Sequence, residues 1–344
     1  ITDDRNKDNS VDYQDGAIAL RDDIQEKRLG SELVNQTYSS VAMNVGSTAH
    51  YPFLRILDNI KKFNLATDGF GQTIIIKGYQ SEGHDSSHPD FANISNRLGG
   101  EEAFRILLEE SDKYNANIGV HINHTEAYPE APQYGSNIVS TVGGWSWYDD
   151  SKQIIRENDI MNEESGMGAR LEELIEKAPG LDMIYVDVYM DTRWPAYKLT
   201  SKLNDLGIAV ASEYAKQLGT TSVWAHHAYN GGYGTSSELA RFVNHQEQDV
   251  FGGTNLFRGN SRQGINGWQG ESNLNTTVSN FFTSQLPFKY LMNFPISIWE
   301  DNQITFGENN EVVSKMDNGV NVITQDGKEV ARGNKIFIPW TIDN

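Results

Sequence analysis

"DMIYVDVYMDTRWPAYKLTSKLNDLGIAVASEY", residues 182–214, decides the fold. It opens on an apolar, β-branched run (182–189), continues through a stretch with Pro195 in its first turn, and reaches a second apolar run (207–214) that begins at Gly207. Proline is tolerated at a helix start and glycine favoured just past its end, so the middle reads as a helix joining two strands. Such alternation predicts a parallel sheet with helical crossovers.

The pattern extends in both directions. Further strands are predicted at 38–47, 72–79, 117–125 and 222–227, with weaker candidates near 253–258 and 295–300. Together these reach the number that closes a (β/α)8 TIM-type barrel. Between them, "PFLRILDNIKKFN" starts a helix at Pro52, "GGEEAFRILLEESDKYNAN" opens on acidic residues, and "ARLEELIEKAPG" stops at Pro179 and Gly180. Residues 1–300 are therefore read as the barrel, with a long, weakly periodic insertion at about 126–165 that suits a functional loop better than a linker. From 301 the residues alternate apolar and polar around the turn dipeptides Asn318-Gly319 and Asp326-Gly327. That texture predicts the first strands of an appended antiparallel β-domain over 301–344, which the chain does not complete.

Composition narrows the ligand. With 28 Lys and Arg against 47 Asp and Glu, the net charge of -19 repels nucleic acid and anionic membranes and favours a neutral partner. The absence of cysteine excludes disulfides, thiolate metal sites and a cysteine nucleophile. No apolar run approaches the roughly 20 residues that would span a bilayer, so membrane insertion is not expected. The start "ITDDRNKDNS" lacks the features of a signal peptide and reads as a cut inside a longer chain. Several of the 7 Trp and 15 Tyr sit in polar, glycine-rich surroundings, where bulky rings suit stacking on sugar faces.

Active-site residues of such barrels come from the C-terminal ends of strands. In "MIYVDVY", period-2 alternation puts Ile184, Val186 and Val188 on the helix-facing side and Met183, Tyr185, Asp187 and Tyr189 on the other. In "IAVASEY", Ala209, Ala211 and Glu213 share the corresponding side. Two inward carboxylates on adjacent strands about 4.8 Å apart can approach to roughly 5 to 5.5 Å, the separation of a retaining glycosidase. The bland alternative is a pair of strand-end acids that are exposed or neutralised by Lys or Arg. "KGYQSEGHDSSH" gathers Lys77, Glu82, His84, Asp85 and His88 after one strand, and "HINHTEAYPE" places His121, Asn123 and Thr125 on one face of another with Glu126 just beyond. These groups can bond sugar hydroxyls. The same residue types would suit a divalent ion, but their spacing matches no helical ligand motif, and no metal site is assigned. "GGWSWYDD" spaces Trp145 and Trp147 to face one way, as a lid over a sugar or as an anchor for the insertion. "NHQEQD" and "NGWQGE" each offer a glutamine beside a His or Trp.

Taken in order, "YQDGAIALRD", "KGYQSEGHDSSH", "IGVHINHTEAYPEA", "GWSWYDD", "YVDVY", "NHQ", "GWQG" and "IPW" resemble the catalytic region of glycoside hydrolase family 101, the endo-α-N-acetylgalactosaminidases of bacterial surfaces. The resemblance covers residues from about 12 to 341. It implies a retaining endo-glycosidase that releases Gal-β1,3-GalNAc from Ser or Thr of mucin-type O-glycoproteins and needs no cofactor. A structural calcium is not readable from the sequence. The protein would act outside the cell or at the bacterial cell surface. By this resemblance Asp187 is the nucleophile and Glu213 the acid/base. Lys77, His84, Asp85, His121, Asn123, Trp145, Trp147, Tyr189, Gln246, Trp268 and Gln269 would bind the substrate. The segment "MDTRWP" after the nucleophile is shorter and less glycine-rich than the family loop. Rival readings are a retaining α-glycosidase for another α-galactoside or α-GalNAc substrate, and a barrel that binds mucin glycans without cleaving them.

Overall fold

The computed structural model describes residues 3–43, 51–81, 83–144, 150–189, 193–214, 218–226, 238–250, 254–257 and 273–335. Strands β1 (Ser39–Met43), β2 (Gln72–Ile76) and β3 (Ala116–Asn123) precede a small excursion, β4 (Glu126–Ala127), β5 (Val139–Gly143) and β6 (Lys152–Ile154). The main sheet resumes with β7 (Met183–Asp187), β8 (Ala209–Ser212), β9 (Ser222–Ala225) and β10 (Asp249–Val250). Its order is β1-β2-β3-β7-β8-β9-β10, with every neighbouring pair parallel. Apart from the excursion, each strand lies beside the next in the chain, which is the strand order of a (β/α)8 barrel.

Helices cross between these strands where the sequence places them. Phe53–Ala66 begins after Pro52, Gly100–Ser111 after Gly99, Met167–Lys177 ahead of Gly180, and Arg193–Asp205 ahead of Gly207. Gly207 sits at φ 79°, the left-handed backbone that ends a helix at least cost on glycine. The sheet then sorts its side chains by alternation. Ile74, Ile76, Ile118, Val120, Ile122, Ile184, Val186, Ile208 and Val210 pack with Phe53, Phe104, Leu171 and Leu199 of the helices. Ile75, Met183, Tyr185, Ala209, Ala211 and Trp224 belong to the core on the other face. Each fully buried Ile, Leu or Phe stabilises the fold by roughly 1.5 to 3 kcal/mol before conformational entropy is counted. On this second face Gly119 leaves room for its neighbour, since a Cβ there would stand 2.6 Å from Met183 Cγ.

Beyond the barrel strands, β11 (Ile296–Glu300), β12 (Gln303–Phe306), β13 (Val312–Asp317), β14 (Val320–Gln325) and β15 (Lys328–Arg332) form an antiparallel meander. Asn318-Gly319 and Asp326-Gly327 turn its hairpins with positive φ at both residues, as a two-residue hairpin turn requires. Trp299, Ile304, Phe306, Val312 and Ile323 share a core with Phe257 and Phe288, so the meander is packed onto the barrel.

Two strand expectations are corrected. Residues 295–300 do not supply a barrel strand, because Ile296–Glu300 pairs antiparallel with Gln303–Phe306 in the terminal sheet. The candidate near 253–258 lies partly on a 3-10 turn, Asn255–Phe257, and the parallel strand beside β9 comes earlier, at Asp249–Val250. The insertion is more ordered than its weak periodicity suggests: β4, β6 and β5 make a three-stranded sheet, followed by the helix Arg156–Met161.

Candidate active site

Parallel pairing brings the C-terminal ends of β2, β3, β7 and β8 to one side of the sheet, and each end delivers a polar group. Lys77 follows β2, His121 lies near the end of β3, Asp187 ends β7 and Glu213 follows β8. The register pairs His121 with Tyr185, Asn123 with Asp187, and Val186 with Ser212, so Asp187 and Glu213 stand one step further along adjacent strands.

At the centre, Lys77 Nζ lies 3.4 Å from Asp187 Oδ1 and 4.5 Å from the centroid of Tyr185. His121 Nε2 lies 3.3 Å from Asp187 Oδ2 and 3.7 Å from Asp85 Oδ1. His84 Nε2 and His88 Nε2 approach the same Asp85 oxygen to 3.8 and 3.9 Å. The Tyr128 hydroxyl donates to Asp85 Oδ2 at 3.5 Å. His121, Asp85 and Asp187 are buried, while Lys77 and His84 keep partial access to solvent.

The two carboxylates are driven in opposite directions. Burial alone would raise the Asp187 pKa, but His121 and Lys77 outweigh it and hold the group well below the usual carboxylate range. Burial raises Glu213, and the negative Asp187 raises it further, against a smaller opposing effect of the Val188 N–H. One acid is thus kept ionised and its neighbour is biased toward the protonated form, the division of labour a nucleophile and a general acid need. Burial also pushes Asp85 up to about 6, while burial, His121 and Lys77 push His84 down to about 3.

The strand does not continue straight past Asp187. Val188 has φ 47°, in the left-handed region, and its N–H donates to Glu213 Oε2 at 3.0 Å. This reversal ends the alternation that predicted Tyr189 beside Asp187. Tyr189 belongs instead to the helix-side core, stacked 6.1 Å from His124 at an interplanar angle of 12°. Its assignment as a sugar contact is therefore withdrawn.

Lys77, His84, Asp85, His121, Asp187 and Glu213 are brought to one end of the sheet. Asn123 lies opposite Asp187, but its side chain shapes the following turn: Oδ1 accepts from the N–H groups of Thr125 and Glu126, and Nδ2 donates to Glu126 Oε2. Gln246 is at the wrong end. It sits in the turn between the helix Glu238–Asn244 and β10, so it faces the N-terminal ends of the strands, where it lines a cleft of about 500 Å³ and donates to the Asn293 carbonyl. Trp145, Trp147, Trp268 and Gln269 lie outside the described residues.

Two site groups, His226 and Tyr128, escaped the sequence reading. His226 follows β9 and lies 3.1 Å, through Nδ1, from the Tyr185 hydroxyl. Its position at a strand end was the signal that could have found it. Tyr128 comes from a loop, where no periodicity points to it. Among the described residues, His84, Asp85, His121 and Asp187 form the cluster that could hold a metal ion, their ligand atoms all within 4.8 Å of one another. The Lys77 ammonium beside Asp187 already neutralises part of that charge.

Two family models match the chain: one described as "Endo-alpha-N-acetylgalactosaminidase" over residues 14–278, and one described as "Glycosyl hydrolase 101 beta sandwich domain" over 284–344. A Renibacterium salmoninarum protein named "Putative endo-alpha-N-acetylgalactosaminidase" is 36% identical over 352 residues, an alignment covering 99% of this chain. The chain spans 23% of that relative's length. Among solved structures, the ligand-free alpha-N-acetylgalactosaminidase NagBb from Bifidobacterium bifidum matches with a TM-score of 0.61 at 12% identity, over 92% of this chain and 63% of that one. The ligand-free cyclic alpha-maltosyl-(1→6)-maltose hydrolase from Arthrobacter globiformis matches with a TM-score of 0.55 at 10% identity, over 87% of this chain and 92% of that one. Those two likenesses are of fold alone. The first family model spans most of the sequence, including every strand end that carries the site, and the chain belongs to glycoside hydrolase family 101.

Proposed function

We propose that the chain is the catalytic part of a retaining endo-glycosidase that releases Gal-β1,3-GalNAc from Ser or Thr of mucin-type O-glycoproteins. The observation that carries this reading is the pair Asp187 and Glu213, on adjacent strand ends with their proton affinities driven apart. The family name supports the α-N-acetylgalactosaminyl bond as the one cleaved.

In the first step protonated Glu213 donates to the leaving Ser or Thr oxygen while ionised Asp187 attacks the anomeric carbon. The glycosidic C–O bond breaks and an ester to Asp187 forms. In the second step Glu213, now a carboxylate, takes a proton from water as that water attacks the same carbon, and Asp187 leaves. Two inversions give net retention. Lys77 and His121 hold the nucleophile ionised, while His84 and Asp85 offer a donor and an acceptor beside the sugar. The chemistry uses proton transfer and a carboxylate nucleophile, so no cofactor is required. A substrate of this kind places the protein outside the cell or at a bacterial surface, with glycoproteins as partners.

The test is to follow a core-disaccharide glycopeptide by NMR with the purified chain. Release of the disaccharide, first seen as the α-anomer, supports the reading, and loss of release in Asp187→Ala supports the nucleophile. Release at a similar rate by Asp187→Ala removes that assignment. Faster turnover of a monosaccharide aryl glycoside than of its disaccharide counterpart moves the specificity to unextended α-GalNAc, and binding without turnover makes the barrel a lectin.

A further inference from the structure

Val188 follows Asp187 and, through its two backbone groups, links Glu213 to a hydrogen-bonded chain. Its N–H donates to Glu213 Oε2 at 3.0 Å, and its carbonyl accepts from Thr125 Oγ1 at 2.9 Å. The Thr125 hydroxyl proton is committed to that carbonyl, so the same oxygen can act as acceptor toward Arg156 Nη2, 2.9 Å away. Arg156 also donates from Nε to the His124 carbonyl at 3.1 Å, and its guanidinium lies 5.0 Å from the centroid of Tyr189.

This chain holds a conformation that valine does not choose. At φ 47° a β-branched side chain crowds its own backbone, so the left-handed turn persists only where its surroundings impose it. Tethering the Val188 carbonyl imposes it, and the turn in turn aims the N–H at Glu213. An N–H donor pairs best with the oxygen that carries no proton, so Oε2 is the acceptor and the acid proton belongs on Oε1. The tether itself is firm, because Arg156 opens a helix whose Asp159 is clamped by Arg170 at 2.9 and 2.7 Å and by His124 at 2.7 Å.

We propose that Thr125 and Arg156 are positioning residues for the acid/base: through the Val188 backbone they fix which oxygen of Glu213 delivers the proton. This rests on the assignment of Glu213 made above, and its test is built to separate the two.

The measurement is kcat/KM of the full chain on two substrates carrying the same disaccharide, a Ser-linked glycopeptide and a dinitrophenyl glycoside. The alkoxide must be protonated as it leaves, whereas dinitrophenolate leaves unaided, so a misaimed acid slows only the first. Thr125→Val should lower kcat/KM on the glycopeptide by about 10- to 100-fold and on the aryl glycoside by less than about 3-fold. Thr125→Ser, which keeps the hydroxyl, should restore most of the loss. Arg156→Lys keeps the charge but not the fork, and should show the same selective loss, which also carries the test if Thr125→Val does not fold. Equal losses on both substrates, or none on either, overturn the positioning role. Glu213→Ala serves as the control: if it spares the aryl glycoside, the acid/base assignment stands whatever Thr125 does, and if it affects both substrates equally in kcat/KM, that assignment fails first.

Discussion

Lys77 Nζ lies 3.4 Å from Asp187 Oδ1 and is held over the ring of Tyr185, two residues earlier on the same strand. The ammonium stabilises the ionised carboxylate, so its removal must raise the proton affinity of Asp187. Lys77→Met should reduce kcat/KM on the glycopeptide by about 100-fold and, because the same ammonium also lowers the Asp85 pKa, move the acidic limb of the pH–rate profile to higher pH. A profile that keeps its shape and position would remove Lys77 from the chemistry.

Asp85 predicts where the acidic limb of the unmodified protein lies. Asp187 is held too low to titrate in the working range, whereas burial pushes Asp85 up to about 6. An ionised carboxylate accepts a sugar hydroxyl more strongly than a neutral acid, so kcat/KM should rise with pH through about 6. Asp85→Asn should abolish that rise and increase KM. The sign for stability is opposite. A folded-state value raised from 3.8 to about 6 means the native state binds this proton more tightly, so its contribution falls as pH rises across that window. Thermal midpoints of the protein and of Asp85→Asn across pH 4 to 6 check this, and parallel curves would contradict it.

The barrel was legible because two local signals coincide. Period-2 alternation sorted Ile184 and Val186 from Met183 and Tyr185, and Pro52 and Gly207 marked helix ends whose geometry is chemical rather than contextual. The strand-end acids were legible for the same reason, since a carboxylate in an apolar run needs a purpose. What failed depends on partners. Ile296–Glu300 alternates as a barrel strand would, and only its antiparallel pairing with Gln303–Phe306 assigns it elsewhere. Tyr189 was misplaced because nothing in a valine announces a left-handed backbone at 188. Gln246 was misplaced because a short motif does not say which end of a parallel strand it occupies.

Azide distinguishes the two carboxylates by the product it makes. Asp187→Ala removes the nucleophile and should lower turnover at least about 1,000-fold. Azide entering the vacated space attacks from the nucleophile's side and should give the β-glycosyl azide. Glu213→Ala still forms the ester, which azide then opens to the α-glycosyl azide. NMR of the two products checks the roles, and the same anomer from both variants would refute the division.

Asp159 predicts the acid stability of the insertion. It is fully buried between Arg170, which donates to both of its oxygens, and His124 Nε2. Burial lowers the His124 pKa, against the raising effect of its hydrogen bond with Asp159. For Asp159 burial alone would raise the value, but the hydrogen bonds from His124 and Arg170 outweigh it and bring it to about 2. A depressed folded-state value contributes stability above the unfolded value of 3.8 and loses it as pH falls toward about 2, a contribution of about 2 kcal/mol. Arg170→Met leaves the buried charge without its partner and should cost about 3 to 5 kcal/mol at neutral pH. That penalty should shrink as acid neutralises Asp159, so urea unfolding at pH 7 and near pH 3 should show the variant closest to the unmodified protein at the lower pH. A penalty independent of pH would mean that Arg170 acts by packing against Phe91, whose ring centroid lies 5.3 Å from its guanidinium, and not by compensating the carboxylate.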